Sequence, residues 1–337
     1  MDTFDTLNRP LRDLRISVID ACNFRCSYCM PIDRYGEDYP FMKATEILSW
    51  EQLLIIVQAA TDLGVKKIRL TGGEPLLRKG IDGFIASIKN HTAIEEIALT
   101  TNGYYLEENA LALRQAGLDR LTVSLDTLDP DKAYFINGKK DILPKILSGL
   151  EVASQSGFKK IKINTVLQKD VNDDEILDLI EYFRNKPFIV RFIEFMDVGN
   201  RNQWEMAKVV PSNDILALVK QKYPFTPIAP QYTGEVASRF AFNDGSGEFG
   251  LISSVTQPFC QNCTRGRITC DGTFYTCLFA SKGLALKPLL DKKASKEKIA
   301  ETIFDFWKTR TDKYSEDRNK NTRDHSTKKI EMNHIGG

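Results

Sequence analysis

Between residues 14 and 195, short apolar runs alternate with helical patterns at intervals of roughly 30 residues, and no other feature restricts the fold as much. The apolar runs fall near residues 14–19, 66–70, 94–100, 120–125, 160–167 and 188–195. Ser49 and Gln52 form a capping-box pattern ahead of Leu53, Leu54, Val57 and Ala60 at helical spacing, and Gly64 supplies a stop. Further helices are predicted over residues 80–89, 107–116 and 142–156. Another follows Asn172 as N-cap, with Asp173, Asp174 and Glu175 in its acidic first turn. Strands joined by helices imply parallel βαβ units. A full TIM-type barrel needs eight of them, and the pattern after Asp197 does not clearly supply the last two. The expectation is an incomplete TIM-type (β/α)6 barrel with its site at the strand C-termini; an open doubly wound α/β sheet is the alternative.

The first apolar run leads straight into Cys22, Cys26 and Cys29, spaced C-x3-C-x2-C, with no fourth thiol nearby. A structural zinc site closes around four ligands, and ferredoxin-type sites also use four cysteines. Three thiolates on a four-iron cluster would leave one iron open to a small molecule; three inert thiols of a reduced protein are the plain alternative. A second set, Cys260, Cys263 and Cys277, is spaced C-x2-C-x13-C, with Cys270 to spare. Asp271-Gly272 between two β-rich runs is a two-residue hairpin signal. Pairing outward from it sets Ile268 opposite Tyr275 and Gly266 opposite Cys277. That register returns Cys277 to the Cys260–Cys263 loop and leaves Cys270 about 13 Å away along the ladder. A four-cysteine zinc site, the alternative here, would need Cys270 to reach the metal. Seven cysteines clustered in two places favour ligation over disulfides.

The 337 residues suffice for one large barrel or two domains, and the 42% apolar, 27% charged composition is that of a globular protein. A net charge of +1 argues against broad nucleic-acid binding, so any anion site must be local. The N-terminus has no signal-peptide pattern, and the longest strongly apolar run, residues 53–57, is too short to span a bilayer. A cytoplasmic protein with no membrane partner is expected. Three units are read: a barrel over 1–197, an extension over 198–310, and a tail over 311–337. Pro211, Pro224, Pro227 and Pro230 break up the start of the extension, which reads as helical and irregular, and residues 292–309 read as one amphipathic helix. The polar tail reads as a disordered terminus, but its final Gly336-Gly337 follows Ile335 and could enter a pocket too narrow for side chains.

Asn23, Phe24, Arg25, Ser27 and Tyr28, set between the first cysteines after a strand, resemble the cluster loop of the radical S-adenosylmethionine (SAM) superfamily. Further markers are Gly72-Gly73-Glu74-Pro75, the run 191–196 (RFIEFM), the C-x2-C-x13-C hairpin and the terminal glycine pair. With them the chain resembles, over nearly its whole length, the GTP 3′,8-cyclase family of molybdenum cofactor biosynthesis. The resemblance implies a partial barrel with two [4Fe–4S] clusters and SAM. It implies conversion of GTP to (8S)-3′,8-cyclo-7,8-dihydroguanosine 5′-triphosphate, the first step towards molybdopterin. It also implies a homodimer, a flavodoxin- or ferredoxin-type electron donor, and delivery of the product to cyclic pyranopterin monophosphate synthase. Carried over, Cys22, Cys26 and Cys29 hold the SAM cluster, and Cys260, Cys263 and Cys277 the second. Tyr28, Gly73, Ser124 and Met196 contact SAM. Arg15, Arg69, Thr100, Lys162, Arg191, Arg265, Gly266 and Arg267 bind GTP, while Arg15, Gly336 and Gly337 serve catalysis. Ala21 stands where the family often has a basic residue, and Cys270 is unusual in the hairpin.

Overall fold

The computed structural model describes residues 3–232, 234–318 and 329–337. The tail reading over 311–337 therefore falls partly, at 319–328, outside the described residues. The barrel part runs β1 (Asp13–Ser17), α1 (Trp50–Asp62), β2 (Lys67–Thr71), α2 (Ile81–His91), β3 (Glu96–Thr101), α3 (Leu106–Gln115), β4 (Arg120–Ser124), α4 (Pro130–Asn137), α5 (Leu143–Gln155), β5 (Ile161–Leu167), α6 (Ile176–Phe183) and β6 (Phe188–Glu194). The extension adds α7 (Ser212–Lys222), β7 (Phe225–Ile228), β8 (Ser238–Phe242), β9 (Glu248–Ile252), β10 (Arg265–Ile268), β11 (Thr273–Tyr275), β12 (Leu284–Ala285), α8 (Lys287–Asp291) and α9 (Lys296–Trp307). At α1, the capping box between Ser49 and Gln52 is formed in both directions.

The strands β1 to β6 pair in chain order, all parallel. Successive helices touch one another, α1 on α2, α2 on α3 and α3 on α5. A doubly wound sheet would place successive helices on opposite faces, so this single layer of neighbours is the barrel arrangement. The extension supplies what the sequence pattern does not announce: β9 pairs parallel to β6, and β10 pairs parallel to β1. Neither arrives through a βα unit of the regular kind. The stretch read as helical and irregular is thus corrected to a helix followed by three strands. Its prolines obscured them; Pro227 lies in β7, the outermost strand of the sheet, where a missing N–H costs no ladder bond.

Alternation along the strands divides the sheet into two chemistries. Leu14, Ile16, Ile68, Leu70, Ile97, Leu99, Leu121, Val123, Ile161 and Ile163 are buried in the helix-covered core. Each such side chain contributes about 1.5–3 kcal/mol relative to exposure, and truncating one, as in Ile97→Ala, would cost roughly 2–5 kcal/mol. The opposite face carries Asp13, Arg15, Lys67, Arg69, Thr100, Thr122, Ser124, Lys162, Asn164, Arg191, Arg265 and Arg267. Register makes them neighbours: Arg267, Arg15 and Arg69 lie side by side on β10, β1 and β2, and Thr122 pairs with Lys162, Asn164 with Arg191. An ordinary TIM barrel fills this space with branched apolar residues. Here it is lined with cations.

Candidate active site

Because β1 to β6 and β10 are parallel, their C-terminal ends share one end of the barrel. Cys22, Cys26 and Cys29 follow β1 at that end. The Cys260–Cys263 loop enters β10 at the other, and antiparallel β11 carries the chain back towards the same end before Cys277. The two cysteine sets therefore face each other across the cation-lined interior.

At the first end, the cysteine loop rests on the backbone of the Gly72-Gly73 turn. Gly73 N–H donates to the Ile19 carbonyl at 2.7 Å, and Glu74 N–H to that of Ala21 at 2.9 Å. A Cβ on Gly73 would sit 2.2 Å from the Ala21 carbonyl oxygen, so this glycine is required by the loop crossing it. That is a reason for the glycine separate from the SAM contact the resemblance implies. The Tyr28 hydroxyl donates to Asp126 at 2.7 Å, and Cys26 lies 3.1 Å from Asn137 Oδ1. Ser124 ends β4, and Met196 follows β6, its carbonyl accepting from Asn202 at 2.9 Å. The three thiols lie near enough to act on one another: burial, then Cys22 and Cys29, push Cys26 up, while burial and Glu74 raise Cys22 to about 12. Bare thiols here are neutral, and thiolates need iron to stabilise them. Glu74, buried under Thr101 Oγ1 and Asn102 N–H at 2.7 Å each, is raised to about 7 by that burial; Asp126 is raised to about 6.

At the second end, Cys263 is pushed up by burial but pulled down further by Arg265 and Arg310, to about 6. Arg265 Nη2 reaches its sulfur at 3.2 Å. Burial holds Cys277 up at about 11, with Cys263 among its electrostatic neighbours. The hairpin register is one residue off the sequence reading: Ile268 pairs with Phe274 and Arg267 with Tyr275. Gly272, at φ +85°, closes a three-residue loop, with Thr269 N–H donating to Thr273 O at 3.0 Å. A two-residue turn would have placed Asp271 as well as Gly272 at positive φ. The slip leaves Cys277 near Cys263. Cys270 lies beyond the far end of β10, with its sulfur 3.7 Å from Met42 and its carbonyl accepting from Leu48 N–H. Seven residues of extended chain put it on the order of 20 Å from Cys263, which removes the four-cysteine zinc reading. Among the described residues, no three Cys, His, Asp or Glu side chains converge tightly enough for a single metal ion. Three mutually interacting thiols at the first end, and Cys263 beside Cys277 at the second, suit the wider footprint of a cluster.

Between the ends, Arg69 donates to Thr100 Oγ1 at 3.0 Å and Thr122 Oγ1 at 3.2 Å, and Arg191 to Asn164 Oδ1 at 2.6 and 2.9 Å. These partners are neutral. Burial, then Arg267, Arg69 and Arg265, pushes Arg15 well down. Lys162 falls to about 6 through burial and the neighbouring arginines, and burial first of all takes Arg191 to about 9. On this face Glu96 is spent on Arg120 at 2.8 Å and Lys67 at 2.7 Å. Asp13 is a further carboxylate acting on Arg15, Arg69 and Arg265, so cations outnumber carboxylates on this face. Thr122 and Asn164 were not singled out from the sequence; their strand positions, two residues from Ser124 and Lys162, were the available signal.

The tail ends inside the same space. Asn333 donates to the Asp20 carbonyl at 3.1 Å and accepts from the Tyr35 hydroxyl at 3.0 Å; Ile335 is fully buried. Arg267 Nη1 donates to the Gly336 carbonyl. A Cβ on Gly336 would meet Thr71 Cγ2 at 2.5 Å. The residues 329–337 are therefore ordered and packed, contrary to a plain disordered terminus.

Fold and cysteine geometry place the chain in a class of proteins that bind clusters within a partial barrel, and comparison names it. The Radical SAM superfamily profile matches residues 16–183, and that of Molybdenum Cofactor Synthesis C matches residues 188–316. Streptococcus suis SuiB bound to S-adenosylmethionine shares the fold at a TM-score of 0.60 and 14% identity, over 90% of this chain and 66% of that one. The protein is a radical SAM protein. A GTP 3′,8-cyclase of Xanthomonas campestris is 48% identical over 99% of this chain and 97% of its own length. One of Staphylococcus saprophyticus is 44% identical over 99% and 98%. This chain belongs to the GTP 3′,8-cyclase family.

Proposed function

We propose that the protein cyclises GTP to (8S)-3′,8-cyclo-7,8-dihydroguanosine 5′-triphosphate, opening molybdenum cofactor biosynthesis. The observation that carries this reading is the row of half-buried and buried cations between two three-cysteine sets, in which Arg69 and Arg191 are held by Thr100, Thr122 and Asn164 and not by carboxylates. A triphosphate is the ligand whose charge such a row lacks, and guanidinium forks suit its oxygens. Cys22, Cys26 and Cys29 would hold one [4Fe–4S] cluster, and Cys260, Cys263 and Cys277 the other. When bound, the first cluster and SAM would supply the radical chemistry that removes hydrogen from C3′ of GTP, and closing the C3′–C8 bond to the dihydro product would take up one electron from the reductant and one proton.

The chain's own residues do the rest. Arg15, Arg69, Lys162, Arg191, Arg265 and Arg267 fix the nucleotide, with Thr100 and Gly266 at its edges. Tyr28, Gly73, Ser124 and Met196 would hold SAM beside the first cysteine set. Gly336 and Gly337, lacking side chains, leave room beside the nucleotide while closing the cavity to water. Family kinship also supports a homodimer, a flavodoxin- or ferredoxin-type donor and a cytoplasmic setting, with the product consumed by a pyranopterin-forming synthase. Among the described residues no helix is long and apolar enough to cross a membrane.

Anaerobic incubation of reconstituted protein with SAM, GTP and dithionite tests the reading. The expected outcome is a nucleotide isomeric with GTP but chromatographically distinct, formed together with 5′-deoxyadenosine. SAM consumption without any change in GTP would refute it.

A further inference from the structure

Beneath the second cysteine loop lies a buried ionic knot that neither cluster ligation nor GTP binding uses. Arg9, 2% exposed, and Arg310, 4% exposed, converge on Asp5, whose side chain is wholly buried. Arg9 Nε meets Asp5 at 2.7 Å and Arg310 Nη1 meets it at 3.3 Å. Each arginine then reaches one cysteine of the pair: Arg9 Nη1 donates to the Cys260 carbonyl, and Arg310 Nη1 to the Cys263 carbonyl, both at 2.8 Å. Arg9 also donates to the Asp312 carbonyl at 2.7 Å, tying the segment after α9 to the loop. The Arg310 guanidinium lies 4.6 Å from the centre of the Trp307 ring, and the Trp307 indole donates to the Arg9 carbonyl at 3.2 Å.

Three charged side chains buried together are costly unless geometry is fixed on every side. Carbonyl anchoring alone could be had from neutral donors, so the retained charge needs a use. Two guanidinium groups held at the carbonyls of two cluster cysteines would favour the more negative, reduced state of a cluster seated there. Arg9 Nη2 is buried with no hydrogen-bond partner, while Arg310 Nε faces the Asp312 carboxylate at 3.6 Å. Buried donors without a full set of acceptors mark a site kept for its electrostatics.

We infer that Arg9 and Arg310, braced by Asp5, are positioning residues for the second cluster, setting the seating of its cysteine loop and its reduction potential. Asp5 and Arg9 thus belong to that cluster site although they are not ligands. This rests on the assignment of Cys260, Cys263 and Cys277 to a cluster.

The test uses full-length, anaerobically reconstituted Arg9→Gln, Arg310→Gln and Arg310→Lys proteins. Iron per chain, the electron paramagnetic resonance of each cluster, its potentiometric midpoint and the thermal unfolding midpoint are read side by side. In the glutamine variants, the second cluster should either be depleted, towards half the wild-type iron, or remain with a midpoint shifted to more negative potential. The SAM-perturbed signal of the first cluster should stay as in wild type. Arg310→Lys, keeping the charge, should return the midpoint towards wild type. Full iron with an unmoved second midpoint would overturn the inference. So would equal loss from both clusters with a collapsed unfolding midpoint, since the knot would then serve the fold alone. These readouts need no GTP turnover, so they stand apart from failure of the cyclase reading, while wild-type protein with only one cluster would remove the assignment beneath both.

Discussion

The two cysteine sets hold the same number of thiols in opposite electrostatic surroundings. Around Cys22, Cys26 and Cys29 the nearest charged side chains include Glu74 and Asp126, both deeply buried. Arg25 makes the same kind of contact here, donating to the carbonyls of Cys22, Phe24 and Tyr35, but its pull on the Cys22 thiol is outweighed by burial and Glu74. Around Cys263 stand Arg265 and Arg310, with Arg9 on the carbonyl of Cys260. Burial raises Cys22, Cys26, Cys29 and Cys277, whereas at Cys263 arginine reverses it. The contrast suits a division of labour, in which a cluster in the first setting is hard to reduce and so strongly reducing. One in the second setting lies in the same positive field that would receive a triphosphate.

The tail joins the first setting to the arginine field, and its removal has the largest expected effect. Asn333 is fastened at the first end through Asp20, and Gly336, packed against Thr71 at the end of β2, accepts from Arg267, whose side chain reaches it from β10. Deleting Gly336 and Gly337 should leave both clusters and SAM binding in place and abolish cyclised product. Product and iron measured together decide it; near-normal product would mean that the glycines only fill space. The next effect concerns ligation. Cys277→Ser should lose about half of roughly eight irons, and Cys270→Ser none, because Cys270 lies at the wrong end of β10. Iron loss in the Cys270 variant would break the assignment of one set to each end.

Much of this arrangement is legible in the sequence, for identifiable reasons. The strands β1 to β6 are written as apolar runs of regular spacing, and the arginines within them could only face a polar interior. What is not legible is long-range. The strand β10 gives no sign that it will pair with β1, some 250 residues away in the chain, and β9 is masked by the prolines before it. The helix α4 was overlooked although Asp129, Pro130 and Gly138 supply its cap, first turn and stop; Asp129 accepts from Asp131 and Lys132 N–H. Asn172 misled in the other direction. Its side chain makes no cap but donates to the carbonyls of Asp126 and Val166 at 2.8 and 3.0 Å, which the acidic residues after it disguised. The ionic knot of Asp5, Arg9 and Arg310 joins the N-terminal segment to the residues just after α9, some 300 positions apart, and no local pattern announces it.

Arg267 sharpens the comparison because it belongs to both the arginine field and the tail contact. Arg267→Ala should weaken GTP binding by about 1–3 kcal/mol, as expected for one charge-assisted contact. SAM cleavage without GTP should barely change, since Arg267 lies on β10 away from the first cysteine set. Calorimetric titration with GTP and a count of 5′-deoxyadenosine report the two quantities separately. Equal loss of SAM binding would mean that the arginine field extends to the first end.

The smallest effect is a pH dependence carried by Lys162. Burial, followed by Arg191, Arg120 and Arg69, depresses this lysine to about 6, so in the free protein it is mostly neutral at pH 7. A triphosphate beside it favours the charged form and raises its pKa, so binding takes up a proton. Affinity for GTP should therefore fall as pH rises above about 6, by at most tenfold per pH unit for one proton. Below about 6 this contribution levels off, because the lysine is already charged before the nucleotide arrives. The terminal phosphate ionises near the same pH and works in the opposite sense, strengthening attraction as pH rises. Lys162→Gln separates the two, since it keeps the phosphate ionisation and removes the lysine. Dissociation constants for GTP at several pH values between 6 and 8 should diverge between the two proteins, with the wild type losing its advantage towards alkaline pH. Parallel curves would show that Lys162 stays charged in the empty site, and that a carboxylate or solvent there already offsets the arginine field.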